Sequence, residues 1–204
     1  QSLLQYSEIS SELRFKTLNE IKEVCKNCFK CELGKTRKNL VFSDGNPDAK
    51  VMLIGEGPGR QEDETGIPFV GRAGKLLDQI LLSQNITREK DIYICNTVKC
   101  RPPENRVPTE DEMSACRIYL DAQIQLIRPK IILLAGSTAV RSILKNNIPI
   151  SKIRGQWFEG PFGSKIMPIF HPSYLLRNDR KDPGSPKWFM WQDIKEIRKA
   201  IDEL

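Results

Sequence analysis
Four short apolar runs, each running into a polar residue or a glycine, constrain this chain more than any other feature. They are KVMLIGE (50–56), DIYICN (91–96), KIILLAGST (130–138) and KIMPIF (165–170). Runs of this length bounded by turn residues suit strands buried on both faces. Between them lie segments with helical spacing: GRAGKLLDQILLSQ (71–84), a stretch from Thr109 to about Ile127, and a turn into helix at Ser137. Thr109 and Glu112 have the spacing of a capping box, which opens the long helix. A last helix is expected over 186–202. Strands alternating with helices imply a parallel sheet covered on both sides. The expected fold is therefore α/β, a three-layer α/β/α sandwich around a central four-stranded parallel sheet. Upstream, SSELRFKTLNEIKEV (10–24) places Leu13, Leu18, Ile21 and Val24 near one face. That predicts an N-terminal helical extension over 1–24, ahead of a main domain over 25–204.

Parallel sheets bind ligands at the carboxyl ends of their strands. Here the strands end at Glu56, Asn96, Gly136–Ser137 and His171. A carboxylate, an amide, a hydroxyl and an imidazole are thus delivered to one rim. His171 stands in HPS, where the proline sets the following turn. The Asn96 amide carries a donor and an acceptor, as the reading of a pyrimidine edge requires. GEGPG (55–59) offers a backbone that a ligand could approach closely, because Gly57 and Gly59 lack Cβ and tolerate φ > 0. It matches neither the dinucleotide fingerprint nor the Walker A loop, so a nucleotide cofactor is not expected. Phe69, in GIPFVGRAG, reads on its own as a core residue.

Composition adds limits. Lys and Arg number 32 against 26 Asp and Glu, a net charge of +6 that suits a polyanionic partner. No apolar run approaches 18 residues, so no membrane span is expected. QSLLQYSEISSELRF lacks a basic start followed by an apolar block, so no secretory signal is visible and a cytoplasmic location is expected. The six cysteines accompany a single histidine. Cys25, Cys28 and Cys31 form C-x2-C-x2-C, Cys100 and Cys116 lie 16 apart, and Cys95 falls inside an apolar strand as a buried, inert thiol. A ferredoxin run would need cysteine then proline at 35–36, where Lys35 and Thr36 stand. A zinc ribbon would need a second C-x-x-C. Spacing leaves structural zinc and an iron–sulfur cluster both open.

The motifs GEGPGRQEDETGIPFVGRAGKLL (55–77), ICNTVKCRPPENRVPTEDEMSAC (94–116), LLAGSTA (133–139) and FHPSYLLR (170–177), in this order, resemble the family 4 uracil-DNA glycosylases. The resemblance covers about residues 25 to 204. It implies a DNA repair enzyme that flips uracil out of single- or double-stranded DNA and hydrolyses the N-glycosidic bond, leaving an abasic site for base excision repair. It also implies a four-iron, four-sulfur cluster on Cys28, Cys31, Cys100 and Cys116, with Cys25 as an extra thiol. SDGN (43–46) departs from the GEGN usual in that family.

By the same resemblance Phe69 stacks on the flipped ring, Asn96 pairs with its N3–H and O4, and His171 sits near O2. Gly57 occupies the place of an aspartate in the family 1 relatives, which leaves Glu56 or Glu62 to orient water or sugar, with Asn105 assisting. Ser137 and Ser173 would meet phosphates, Leu175 would wedge into the base stack, and Arg177, Lys75 and the run at 35–38 would supply charge. A monomer associated with the nucleoid is expected. Two other readings remain open. One is a relative of altered chemistry that binds damaged DNA; the covalent-binding branch carries a histidine after the Asn strand, and CRPPENRVPT has none. The other is a DNA-associated iron–sulfur module, joined to a polymerase upstream of Gln1.

Overall fold
A computed structural model describes residues 5–204. Its sheet has the order β1-β3-β2-β4-β6-β5, formed by β1 (Asp44–Gly45), β2 (Val51–Gly55), β3 (Ile92–Asn96), β4 (Ile131–Ala135), β5 (Phe158–Glu159) and β6 (Lys165–Ile169). The four central strands are the expected parallel ones. The two edge strands pair antiparallel and are two residues long, too short to leave a periodic signal in the sequence. Every residue of β2, β3 and β4 is buried, which explains why those segments are continuously apolar.

The helices are α1 (Leu18–Lys26), α2 (Leu33–Thr36), α3 (Arg60–Thr65), α4 (Arg72–Leu82), α5 (Glu110–Ile127), α6 (Ser137–Leu144), α7 (Ile150–Ile153), α8 (Pro172–Arg177) and α9 (Pro186–Asp202). One sheet face, with Val51, Leu53, Ile94 and Leu133, packs against Leu77 and Leu81 of α4 and Met190, Ile194 and Ile197 of α9. The other, with Met52, Ile54, Cys95 and Leu134, packs against Leu120 and Ile124 of α5 and Val140 and Ile143 of α6. This is the three-layer α/β/α arrangement. The capping box opening α5 is present, with Glu112 N–H donating to Thr109 Oγ1 at 3.2 Å and Thr109 N–H to Glu112 Oε2 at 2.9 Å.

A third apolar cluster lies beyond the sheet edge and joins Ile21 and Cys25 of α1 to Leu33, Phe42, Val98, Met113 and Tyr119. The expected helix over 10–24 is shorter and shifted. Thr17 caps α1 by accepting Glu20 N–H at 3.1 Å, and the preceding segment is irregular because its carbonyls have other donors. Gln125 Nε2 donates to the Ser10 and Glu12 carbonyls, and Ser7 N–H donates to Ile143 O at 2.8 Å. Leu13 and Val24, expected on the buried face, are 53% and 47% exposed. The first four residues of the expected extension lie outside the described residues.

Leu175 also departs from expectation. It is 1% exposed and belongs to the core between α4, α8 and α9, so in this conformation it cannot reach a base stack. The neighbouring Tyr174 is exposed instead, because α8 turns that position outward. Leu175→Ala should lower the unfolding free energy by about 2–5 kcal/mol, as for other buried leucines. Urea unfolding under anaerobic conditions measures it. A surface wedge would cost no more than about 0.5 kcal/mol.

Candidate active site
The carboxyl ends of the central strands open onto a recess of about 350 Å³. Register explains why: Gly55 pairs with Asn96, and Ala135 pairs with Ile169, so the strands finish level. Asn96 is 2% exposed and lines the recess, and its Oδ1 has no hydrogen-bond partner. A buried amide oxygen without a donor costs about 1–3 kcal/mol, a cost that a ligand N–H can remove. Gly55 lies directly beneath. A Cβ there would stand 2.5 Å from both Asn96 Oδ1 and the Phe69 ring, so only glycine permits the approach.

Phe69 forms one wall, its ring centroid 5.7 Å from that of His171 at an interplanar angle of 28°. Its φ of +54° is unfavourable for an aromatic residue and must be held by its surroundings. Arg88 holds it: Nη1 donates to Pro68 O at 2.7 Å and Nη2 to Phe69 O, while Nε pairs with Asp78 at 2.7 Å. Glu62 holds the same loop from the other side. Its Oε1 accepts Gly59 N–H at 3.0 Å, and its Oε2 accepts Val70 N–H at 3.0 Å and Gly71 N–H at 2.7 Å.

His171 caps α8, and its Nδ1 accepts Ser173 N–H at 3.0 Å with Ser173 Oγ 2.7 Å away. An imidazole that accepts on Nδ1 carries its proton on Nε2, which remains a donor for the recess. Burial, and secondarily the positive charge of Arg177, hold its pKa down to about 4. The ring is therefore neutral at physiological pH. Glu56 turns its carboxylate to α6, where it accepts Thr138 Oγ1 at 2.5 Å, and it does not line the recess. Asn105 does line it; its Oδ1 accepts Arg101 Nε at 2.7 Å.

A second constellation lies in the third apolar cluster. Cys25, Cys28, Cys31, Cys100 and Cys116 ring one small cavity together with Lys99 and Tyr119. None is in a disulfide. Arg37 donates to Cys100 Sγ at 3.3 Å. Among the described residues, no three His, Cys, Asp or Glu side chains converge on a point as a single ion requires. The donors surround a space.

The model of the uracil DNA glycosylase superfamily matches residues 42–195. The chain belongs to that superfamily. It is similar to the Type-4 uracil-DNA glycosylase of Thermotoga maritima, 47% identical over 89% of this chain and 93% of that one. Those of Sulfurisphaera tokodaii and Saccharolobus solfataricus are 41% and 44% identical over 90% of this chain, and over 84% and 86% of their own lengths.

In this glycosylase the expected site residues divide. Phe69, Asn96, His171, Gly57, Glu62 and Asn105 meet at the recess. Neither Gly57 nor Gly59 adopts the positive φ that the sequence suggested. Gly57 is needed for space, because a Cβ would stand 2.9 Å from Val98 Cγ2. Both Ser173 donors are engaged by His171, so they are not free for a phosphate. Ser137, by contrast, is exposed at the start of α6, and Arg177 and Lys75 are exposed on neighbouring helices. Within the basic run at 35–38, Arg37 turns inward to the cysteines, bonding the Cys25 and Lys26 carbonyls as well as Cys100. Arg88, Thr138 and Lys99 were not legible as site residues: each acts through a contact far along the chain or from a buried position, and although Lys99 and Thr138 stand inside motifs, nothing in the motifs assigns them a role.

A His171 signal followed by NMR should titrate near 4, and the rate of base excision should show no break near 6.5. Because the folded state binds fewer protons than the unfolded chain between these values, acidification from about 6.5 towards 4 also costs stability. A rate that halves near pH 6.5 would contradict the neutral-imidazole geometry.

Proposed function
We propose that this chain is an iron–sulfur uracil-DNA glycosylase that grips a flipped uracil between Phe69, Asn96 and His171. The observation that carries the reading is the buried, unpartnered Oδ1 of Asn96, a residue that lines the recess beside an aromatic wall. Uracil offers an N3–H to that oxygen and an O4 to Asn96 Nδ2. Cytosine offers the reverse, an unprotonated N3 and an amino group, so its polar groups would be mispaired and buried. Extruding the base costs a few kcal/mol, which stacking on Phe69 offsets.

Breaking the glycosidic bond leaves negative charge on the uracil ring and oxocarbenium character on the sugar. A neutral His171 donating from Nε2 towards O2 stabilises that charge without transferring a proton, and its donor is already oriented by Ser173. A water completes the reaction at the sugar. Of the three candidates for holding it, Asn105 lines the recess with its Nδ2 unengaged. Glu62 also lines it, but accepts three backbone N–H groups and acts chiefly as a brace for the loops on either side. Glu56 faces Thr138. Ser137, Lys75 and Arg177 are exposed and would meet the strand's phosphates, and the modest net charge suits an enzyme that must also release DNA. No helix among the described residues is long and apolar enough to cross a membrane.

The cysteine cavity fits a four-iron, four-sulfur cluster on Cys28, Cys31, Cys100 and Cys116. Support comes from the donor set, all soft thiols, and from their arrangement around a space. Such a cluster would tie the N-terminal α1–α2 segment to the loop after β3 and to α5. Cys25 is the most buried of the five, and the family resemblance leaves it outside the ligand set as a spectator.

A labelled uracil oligonucleotide, incubated without divalent metal and then treated with alkali, should break at the uracil in single and double strands. The enzyme reading fails if no break appears at any salt concentration. Asn96→Asp should lower the uracil rate by about 10²-fold or more, since one donor to the base is lost and a charge is buried; an unaltered rate would contradict the readout. Cys25→Ala should keep its iron and its absorbance near 400 nm, whereas Cys28→Ala, Cys31→Ala, Cys100→Ala and Cys116→Ala should each lose them. Iron retained by all of the last four variants would refute the ligand set.

A further inference from the structure
Lys99 is 0% exposed, and no other Lys or Arg among the described residues is buried. Its ammonium donates to the Asn96 carbonyl at 2.8 Å and stands 5.9 Å from the centroid of the Phe42 ring. It also lines the cavity ringed by the cysteines. An ammonium has three donors, and one bond to a carbonyl does not compensate its removal from water. No carboxylate pairs with it among the described residues. The counter-charge has to come from the thiols.

The five residues from Asn96 to Cys100 form a turn that is pinned on its other sides. Thr97 N–H and Oγ1 both donate to Gly55 O, at 2.9 and 2.8 Å, and Val98 N–H donates to Glu56 O at 3.3 Å. The Asn96 carbonyl is held by Lys99. We infer that Lys99 is a positioning residue that couples the cysteine cavity to uracil recognition: its charge balances the thiolates, and its ammonium holds the Asn96 main chain so that the amide meets the base. The inference rests on the iron–sulfur and uracil readings above. Four thiolates outweigh the charge of the cluster core, so a loaded site is anionic and stabilises the buried cation. With that charge absent the ammonium is driven towards water, and the Asn96 carbonyl loses its donor. A DNA-contacting role for Lys99 is excluded by its burial.

The test is Lys99→Met, which keeps the length and removes the charge, prepared anaerobically as holoprotein beside wild type and Lys99→Arg. Three quantities are read: iron content, midpoint potential of the cluster, and equilibrium binding of free uracil. In Lys99→Met the potential should move to more negative values, because a cation that favours the added electron is gone. Uracil binding should weaken about tenfold, the usual worth of a hydrogen bond from a charged group. Lys99→Arg should restore both towards wild type. A Lys99→Met protein with wild-type potential and wild-type uracil affinity overturns the inference. If Lys99→Met holds no iron, Lys99→Arg decides: iron and uracil binding near wild type support the coupling, and failure of both overturns it. Wild type that lacks iron or leaves uracil in DNA would instead sink the underlying reading. Wild type that passes both, beside an indifferent Lys99→Met, sinks only this inference.

Discussion
In a parallel sheet all strands point their carboxyl ends the same way, and in this protein the register also makes them stop at the same height. Gly55 lies against Asn96 and Ala135 against Ile169, so the chain leaves β2, β3, β4 and β6 at one level. The side chains that follow are brought together by backbone pairing before any of them interacts with another. The apolar burial that stabilises the sheet, about 1.5–3 kcal/mol for each large side chain, is therefore also what assembles the recess. A slip of one residue would move the Asn96 amide to the opposite face of the sheet.

Around that frame, most of the strongly polar groups near the recess are occupied with organising main chain. Glu62 gathers three N–H groups from two loops, Arg88 fixes two successive carbonyls, and Ser173 orients an imidazole. Of the groups that would face a base, those left unengaged are one face of Phe69, the Asn96 amide and one imidazole N–H, none of them formally charged, while the exposed Arg60 and Arg72 line the same recess as cations. Preorganised dipoles suit a reaction in which charge develops on the departing base, because they need no rearrangement as it appears.

The elements legible in the sequence were those with a long or repeated signal. The central strands, α4, α5 and α9 announced themselves by apolar runs or helical spacing, and the Thr109–Glu112 box marked a helix start to the residue. Two-residue edge strands carry no such signal. The helix expected over 10–24 failed because carbonyl acceptors before Thr17 are claimed by Gln125, more than a hundred residues away. Motifs identified Phe69, Asn96 and His171 as a group. They did not show what either carboxylate holds, since it is the fold that sends Glu56 to Thr138 and Glu62 to the backbone of two loops. Leu175 failed for a related reason: its place in FHPSYLLR says nothing about which side of α8 faces the core.

Gly55 has a consequence for how this recess can change over time. Behind the Asn96 and Phe69 side chains it presents bare main chain, with Asn96 Oδ1 and the Phe69 ring so near that even one methyl group would collide with both. No side chain is available there to be enlarged, shrunk or recharged. On the proposed reading, any drift towards a different base must proceed through the walls, and chiefly through Asn96 itself. The pocket is thus adjustable at its sides and frozen at its base, which leaves few single-step routes to a new substrate.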